Sequence, residues 1–357
     1  MLWRALGIVP ARYASTRFPG KLTQDLCGKP IVVRTIEAAL QATTLSEVWL
    51  ATDDSRISKA TGKHCPHVEV VSTSPHCPSG SDRLVAALQN KGLLNDGATA
   101  TGGKIPAKFP YDAIVNVQGD EPLLDPTHID ALVHCLETTP DADIATLVVP
   151  LDATTKEGAQ NILNPNVVKC VVDQHNYAMY FSRAAIPCVV SNSAATIDTS
   201  GNTTYLKHVG LYAYRPQALL TFVQTKPAAL EMAEKLEQLR AMALGMRIKV
   251  VHVASAEIGI DTAEQLDWAR KKMKKMESHD ETWNEMVMWG KVHRMYCREG
   301  RHQTLSLAHD TWHTHAHRSK EEPYLLVILS SRLSLLVGVQ VKLVSKHVSN
   351  RDKPKLK

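Results

Sequence analysis

Trp3-Arg-Ala-Leu-Gly-Ile-Val-Pro10 is a short apolar stretch, rich in residues that favour β structure, and it begins a pattern that continues through the first 150 residues. Further strands are predicted at Glu47–Ala51, Val68–Val71, Ala113–Val117 and Ile144–Val149. Helical spacing lies between them at Ile31–Gln41, Arg56–Thr61, Ser81–Asn90 with Ser81 as N-cap, and Thr127–Glu137. This alternation predicts right-handed βαβ units and an α/β fold whose mostly parallel sheet is covered by helices.

The second half of the sequence has a mixed pattern. Strands are predicted at Val167–Val172, His208–Tyr214 and Ile248–Val253, and helices near Leu230–Leu244 and at Thr262–Met276, with Thr262 as N-cap. The segment 91–110 is rich in Gly, Ala, Thr and Lys and is interpreted as a surface loop insertion. The patterning fades after residue 276, so we predict a main domain over 1–276 and a basic, His-rich C-terminal extension over 277–357.

The composition narrows the class of protein. The chain has 357 residues, 44% hydrophobic and 22% charged, which is typical of a globular protein. The net charge is +5, but residues 271–357 hold 17 basic and 9 acidic side chains, so the excess belongs to the extension and gives little support to nucleic-acid binding. The apolar stretch Tyr324–Val344 contains Arg332 and serines, and no membrane span is predicted. Seven cysteines without a CxxC pair fit a reducing compartment.

A cationic loop follows the first predicted strand. It carries Arg12, Arg17 and Lys21 beside Gly20, and such groups with free backbone N–H donors suit a polyphosphate. The loop matches neither the Walker A pattern nor GxGxxG. From the residues alone, an ordinary basic surface loop remains an alternative.

Two aspartates follow other predicted strands. Asp120 lies in Gly119-Asp120-Glu121 after one strand, and Asp261 closes another strand just before a helix. Carboxylates facing a phosphate loop favour Mg²⁺, which prefers one or two carboxylates together with phosphate oxygens and water. The alternatives are a turn at Asp120 and a simple helix cap at Asp261.

Nine motifs, in order along the chain, give a resemblance over residues 5–275. They are Ile8-Val-Pro-Ala-Arg-Tyr-Ala-Ser-Thr-Arg-Phe-Pro-Gly-Lys21, Ala51-Thr-Asp-Asp54, Ser79-Gly-Ser-Asp-Arg83, Asn116-Val-Gln-Gly-Asp-Glu-Pro122, Asn164-Pro-Asn-Val-Val-Lys169, Tyr180-Phe-Ser-Arg183, His208-Val-Gly-Leu-Tyr212, Leu236-Glu-Gln-Leu-Arg240 and Gly259-Ile-Asp-Thr262. Together they resemble the CMP-Kdo synthetase family, the 3-deoxy-manno-octulosonate cytidylyltransferases.

The resemblance implies a fold and a reaction. The fold is a three-layer, nucleotide-diphospho-sugar-transferase-like α/β sandwich with a smaller dimerisation subregion, which implies a homodimer. The reaction transfers CMP from CTP to 3-deoxy-D-manno-octulosonate (Kdo) with Mg²⁺, giving CMP-Kdo and diphosphate, and it activates Kdo for lipopolysaccharide or cell-wall polysaccharide. Phosphoryl transfer of this kind depends on positioning and charge neutralisation, which agrees with a sequence offering cations and two aspartates.

The family's site residues carry over by position. The resemblance implies that Arg12 and Lys21 bind the triphosphate, and that Asp120 and Asp261 hold Mg²⁺; these four are the predicted catalytic set. It implies a pocket for the cytosine and ribose formed by Ala11, Ser79, Gly80 and Gln118. It implies a Kdo-binding set of Arg183, His208, Glu237 and Gln238, in which an arginine can bind the carboxylate of Kdo with two hydrogen bonds.

Other functions remain open from the sequence. A CMP-sialic acid synthetase shares the architecture and the class of 2-keto acid substrate, and other sugar nucleotidyltransferases, a glycosyltransferase or a non-catalytic nucleotide-binding relative are further alternatives. The Asn116–Pro122 and Leu236–Arg240 motifs favour Kdo, and retention of Asp120 and Asp261 favours catalysis. We predict a cytoplasmic location, with an organelle of a plant or alga as the alternative.

Overall fold

The computed structural model describes residues 3–14, 18–95, 103–189 and 204–276. The centre of the predicted insertion, Arg17 and the whole of the predicted extension 277–357 lie outside the described residues.

The described residues contain eleven strands. They are β1 (Ala5–Ala11), β2 (Asp25–Leu26), β3 (Lys29–Pro30), β4 (Leu45–Thr52), β5 (Glu69–Ser72), β6 (Ala113–Asn116), β7 (Ile144–Leu151), β8 (Lys169–Val172), β9 (Ala178–Ser182), β10 (Tyr205–Tyr214) and β11 (Ile248–His252). The α-helices are α1 (Ile31–Ala39), α2 (Ser55–His64), α3 (Gly80–Asn90), α4 (Pro126–Thr138), α5 (Lys156–Leu163), α6 (Pro216–Gln224), α7 (Ala229–Glu234), α8 (Gln238–Ala243) and α9 (263–276), and a 3₁₀ helix covers Lys21–Thr23.

The main sheet is largely parallel, as the sequence predicts, and its strand order is β11-β7-β10-β6-β1-β4-β5. Strands β5, β4, β1 and β6 run parallel to one another, and β11 runs parallel to β7. Strand β10 is antiparallel to both of its neighbours, β6 and β7. Strands β8 and β9 extend the sheet as an antiparallel pair next to β10.

Two apolar cores, one on each face of the sheet, make the three layers. Strand β1 shows this arrangement, because Ala5 and Val9 enter one core while Leu6 and Ile8 enter the other. Helices α1, α4 and α9 pack on the first face, and α3, α6 and α8 pack on the second. A strand buried on both faces must be apolar at nearly every position, which explains its near-continuous apolar sequence.

Two predictions about helices need correction. Helix α3 begins at Gly80, and its N-cap is Ser79 rather than Ser81, because the Ser79 hydroxyl accepts the backbone N–H of Asp82. The predicted helix over Leu230–Leu244 is two short helices, α7 and α8, separated at Lys235, whose φ of 54° is left-handed.

An ion pair explains the break between α7 and α8. The guanidinium of Arg240 on α8 donates to both carboxylate oxygens of Glu231 on α7, at 2.9 and 2.6 Å. In one continuous helix these two residues would lie about 13 Å apart along the axis. The chain therefore turns back at Lys235, and the pair is buried, with Arg240 only 7% exposed.

The orientation of β10 shapes the edge of the sheet where ligands bind in open α/β folds. The parallel strands β1 and β6 both end at this edge. Strand β10 runs the other way, with Tyr212 opposite Asn116, so its earlier residues Lys207 and His208 extend past the end of β6. Among the described helices, none is long and apolar enough to cross a membrane.

Candidate active site

A pocket of about 330 Å³ lies at the ends of β1 and β6. It is lined by seven of the predicted residues: Arg12, Lys21, Ser79, Gly80, Gln118, Asp120 and Asp261. Ala11 ends β1 beside them, but it is 1% exposed and packs in the apolar core, so it does not line the pocket. The structure thus brings the predicted nucleotide and metal residues to one place.

The centre of this pocket is a lysine between two carboxylates. Lys21 Nζ donates to Asp120 Oδ2 at 2.5 Å and to Asp261 Oδ1 at 2.9 Å. Burial opposes the charge on Lys21, but the two carboxylates overcome this and raise the pKa of Lys21 above its usual value. Both carboxylates therefore converge on one position that suits a cation.

Asp261 does not close a strand, which corrects the prediction, because β11 ends at His252. The segment that follows β11 is held to the Asp120 loop by the Ile260 N–H, which donates to the Asp120 carbonyl at 2.8 Å. This backbone bond places Asp261 beside Asp120, although the two residues are 141 positions apart in the sequence.

Thr262, not Asp261, caps helix α9. The Thr262 hydroxyl accepts the Gln265 N–H at 3.3 Å, and the Gln265 side-chain oxygen accepts the Thr262 N–H at 3.0 Å. This reciprocal pair is a capping box, and it confirms Thr262 as the predicted N-cap. The Asp261 carboxylate is therefore not needed as a cap, and it points to Lys21 instead.

Gly20 makes the turn that delivers Lys21. Its φ is +66°, and an added Cβ would lie 2.8 Å from the Tyr13 hydroxyl. A residue with a side chain would be strained here both in its backbone and in its packing against Tyr13. The glycine of the cationic loop thus serves the placement of the ammonium group as much as the approach of a phosphate.

A larger pocket of about 770 Å³ adjoins the first, and Gln118 lines both. The predicted sugar-binding residues His208, Glu237 and Gln238 line this second pocket. Glu237 Oε1 and Gln238 Nε2 are buried and make no hydrogen bond with the described residues, although Glu237 Oε1 lies 3.8 Å from Arg240 Nη2. Buried polar atoms without partners are costly, so these two atoms are suited to a polar ligand.

Burial also affects the ionisation of Glu237. It raises the pKa of the Glu237 carboxyl, against the opposing effects of the Ser79 and Ser81 hydroxyls and Arg240. Ser81, the predicted cap, instead donates to Glu237 Oε2 at 3.3 Å. The first turn of α3 therefore links the two pockets.

Arg183 does not reach either pocket. Its guanidinium donates to the carbonyls of Glu234, Pro165 and Lys235, at 2.7, 2.9 and 3.4 Å. These bonds hold the turn between α7 and α8 against the loop after α5. The predicted binding of a substrate carboxylate by Arg183 has no support in this geometry.

His208 is half-buried in the wall of the second pocket. Its Nε2 lies 3.1 Å from Thr146 Oγ1, and its ring packs edge-on against Phe181 at 5.0 Å between centroids. Burial lowers the pKa of His208 to about 3, so the imidazole is neutral at physiological pH. A neutral ring can exchange hydrogen bonds with sugar hydroxyls, but it cannot neutralise an anion.

We expect His208 to make the protein less stable in acid. Its folded pKa of about 3 lies below the unfolded value, so between pH 6.5 and 3 the unfolded chain binds a proton that the folded protein does not. The stabilising contribution is complete above pH 6.5 and is lost as the pH falls, by at most about 1.4 kcal/mol per pH unit. Chemical denaturation should therefore show that the free energy of unfolding falls less steeply from pH 6.5 to 4.5 in His208→Gln than in the wild type.

His134→Gln is the matched control for this measurement. The His134 side chain is 72% exposed on α4, so its replacement should leave the pH slope of the wild type almost unchanged. Equal slopes for wild type and His208→Gln would contradict the prediction.

Sequence reasoning missed several residues that line the two pockets. Arg83 is 3% exposed, pairs with Asp53 at 3.1 Å and borders the smaller pocket. Tyr212 and Lys207 border the larger pocket. Arg83 and Tyr212 lie in motifs quoted for the resemblance and Lys207 precedes one, but no pattern of spacing distinguished them.

Comparisons with known proteins show which family the chain is similar to. A family model described as cytidylyltransferase matches residues 6–248. The 3-deoxy-manno-octulosonate cytidylyltransferase of Protochlamydia amoebophila (strain UWE25) is 40% identical over 266 residues, which cover 74% of this chain and 93% of the relative. The mitochondrial 3-deoxy-manno-octulosonate cytidylyltransferase of Arabidopsis thaliana is 37% identical over 264 residues, which cover 74% of this chain and 81% of the relative.

A solved structure is also similar. It is that of CMP:2-keto-3-deoxy-manno-octonic acid synthetase complexed with CTP, at 34% identity and a TM-score of 0.65, covering 76% of this chain and 99% of that one. By fold and by sequence, this protein is of the nucleotidyltransferase class. More narrowly, the chain belongs to the cytidylyltransferase family.

Proposed function

We propose that this protein transfers CMP from CTP to Kdo, giving CMP-Kdo and diphosphate. The observation that carries the proposal is the pair of adjoining pockets that share Gln118. One offers cations and two carboxylates, which suit a metal–triphosphate. The other offers buried polar atoms that make no hydrogen bond with the described residues, which suit a sugar with many hydroxyls. The similarity to 3-deoxy-manno-octulosonate cytidylyltransferases supports Kdo as that sugar.

The residues present fit Mg²⁺. Asp120 and Asp261 both direct an oxygen at the Lys21 ammonium, so the two carboxylates already converge on a single cation. Two carboxylates completed by phosphate oxygens and water form a set of hard oxygen ligands that Mg²⁺ prefers. When bound by these two residues, Mg²⁺ would neutralise negative charge on the phosphate oxygens.

The remaining residues bind and orient the substrates. Arg12 and Lys21 neutralise the triphosphate, and Ser79 and Gly80 present the N-terminus of α3 to the nucleotide. Glu237, Gln238 and the neutral His208 hold the sugar hydroxyls, so that the anomeric oxygen faces the α-phosphorus at the junction beside Gln118. Fixing two reactants in this way supplies much of the rate increase in a transfer that needs no covalent enzyme intermediate.

Substrate choice tests the proposed function directly. The full-length protein with Mg²⁺ should release pyrophosphate from CTP and Kdo, and far less with ATP or GTP in place of CTP. A second assay with sialic acid in place of Kdo tests the alternative function, that of a CMP-sialic acid synthetase. Equal or faster turnover of sialic acid would contradict the proposal and favour a CMP-sialic acid synthetase. If neither sugar leads to release of pyrophosphate, a non-catalytic relative is favoured.

Three further expectations remain proposals. We propose a homodimer formed through the β8–β9 region, where Met179 is 61% exposed, and light scattering of the purified protein gives its mass. We propose a cytoplasmic location, with a plant or algal organelle as the alternative; a fluorescent fusion of the full chain distinguishes the two. The product would supply Kdo for lipopolysaccharide or cell-wall polysaccharide.

The extension 277–357 is proposed to be accessory. Both described pockets lie within residues 10–268, and the family match ends at residue 248. A chain that ends at Ser278 should therefore fold and keep the turnover of the full-length protein. A soluble, cooperatively melting truncation without activity would overturn this domain division.

A further inference from the structure

Lys207 on β10 is a lining residue of the larger pocket that the proposed mechanism does not use. Within the described part of the chain, it is the single lysine or arginine that lines this pocket. We propose that Lys207 binds the carboxylate of the sugar acid and thereby selects an anionic sugar. This inference rests on the proposed function, which gives this pocket to the sugar.

The ammonium group of Lys207 is available to a ligand. Among the described residues it makes no hydrogen bond, and no carboxylate lies within 4.0 Å of it, although the side chain is half-buried. Burial lowers the pKa of Lys207, while the more distant carboxylates of Glu257, Glu121 and Glu157 favour its charged form. Glu257 is itself paired with Lys272.

Lys169 shows what a structural lysine looks like in the same sheet. It lies opposite Lys207 in the pairing of β8 with β10 and is fully buried. Its Nζ donates to the carbonyls of Asn164, Val167 and Arg183 at 2.6–2.9 Å, so its hydrogen-bonding capacity is used by the fold. Lys207, with none of these bonds, is free to bind an anion.

The other candidates for this role are excluded by their contacts or their charge. Arg183 does not line the pocket, and its guanidinium donates to three backbone carbonyls. His208 lines the pocket but is neutral, since burial lowers its pKa to about 3. A carboxylate entering this pocket therefore finds its countercharge at Lys207.

The position of Lys207 also fits the chemistry. In a 2-keto sugar acid the carboxylate carbon is bonded to the carbon that carries the reacting hydroxyl, so the group that binds the carboxylate must lie near the reaction centre. Strand β10 passes the end of β6, and the chain that continues from β6 carries Gln118 and Asp120. Gln118 lines this pocket together with Lys207 and also lines the pocket of the two aspartates. The distal hydroxyls would then extend toward Glu237 and Gln238.

The test compares Lys207→Met with Lys207→Arg in the full-length protein. With saturating CTP and Mg²⁺, Lys207→Met should raise the KM for Kdo roughly 10- to 100-fold, as loss of a charged hydrogen bond typically does. The KM for CTP should stay near the wild-type value, and Lys207→Arg should restore most of the affinity. Lys63→Met, which removes an exposed positive charge at the end of α2, is the matched control.

A neutral substrate analogue separates charge recognition from a structural effect. Wild type should prefer Kdo over its C1 carboxamide, and Lys207→Met should lose that preference; a misfolded pocket would impair both sugars alike. An unchanged KM for Kdo, or equal losses for both sugars, overturns the inference. If Lys207→Met melts early, Lys207→Gln is measured in its place. Failure of the wild type to use Kdo at all would instead overturn the proposed function.

Discussion

Replacing Asp120 or Asp261 by Asn is expected to lower turnover by on the order of 10²-fold or more and to leave the fold intact. Each carboxylate supplies one of the two oxygens that converge on the position now taken by Lys21 Nζ. An amide keeps the shape of the side chain but removes half of the negative charge that would hold a divalent cation. Steady-state rates of pyrophosphate release and thermal melting measure the two effects separately.

The double variant makes the expectation sharper. Because both side chains act on one cation, the loss in Asp120→Asn/Asp261→Asn should be far smaller than the product of the single losses. Independent losses that multiply would show that the two aspartates have separate roles.

Asp125→Asn is the matched control for the aspartate variants. Asp125 lies in the same loop and caps α4 by accepting the Thr127 N–H at 2.9 Å, a role that asparagine fills equally well. It should keep full activity and stability. If Asp261→Asn also shows normal turnover, Asp261 has no catalytic role.

Lys21→Met is expected to lower kcat/KM for CTP by on the order of 10²-fold, because the triphosphate loses a buried countercharge. The same change leaves the carboxylates of Asp120 and Asp261 facing each other without the ammonium between them. The metal-free variant should therefore melt earlier than wild type, since close like charges repel.

Mg²⁺ provides a second readout for Lys21. Added alone, it should raise the melting temperature of Lys21→Met more than that of wild type, because the lysine no longer competes for the two carboxylates. Lys29→Met, whose lysine pairs with Glu37 on the surface at 2.5 Å, should respond to Mg²⁺ like wild type. An equal response in Lys21→Met and wild type would show that Mg²⁺ does not use this position.

Much of the candidate site was predictable because its residues follow strands or cap helices close by in sequence. Arg12 and Lys21 follow β1, and Asp120 follows β6, so the parallel order of these strands brings them together. Asp261 was harder to place. It follows no strand directly, and its position depends on the bond between the Ile260 N–H and the Asp120 carbonyl.

The sugar side of the site was less predictable. Arg183 lies in a motif that implies substrate binding, yet the carbonyls that occupy its guanidinium come from segments far away along the chain. Lys207 has no local signal, because its environment is created where β10 passes the end of β6. Whether a charged side chain is used by the fold or left for a ligand is decided by these distant neighbours.

Apolar periodicity, glycine turns and helix caps act over a few residues, so the α/β class, the parallel half of the sheet and the cationic loop could be predicted from the sequence. The tertiary structure alone decided three features: the antiparallel insertion of β10, the turn at Lys235 that breaks a predicted helix, and the convergence of Asp120, Asp261 and Lys21. The placement of β10 and the convergence of the three charged residues depend on hydrogen bonds or ion pairs between residues far apart in the chain. The turn at Lys235 instead brings together Glu231 and Arg240, nine positions apart, in an ion pair that no continuous helix could form.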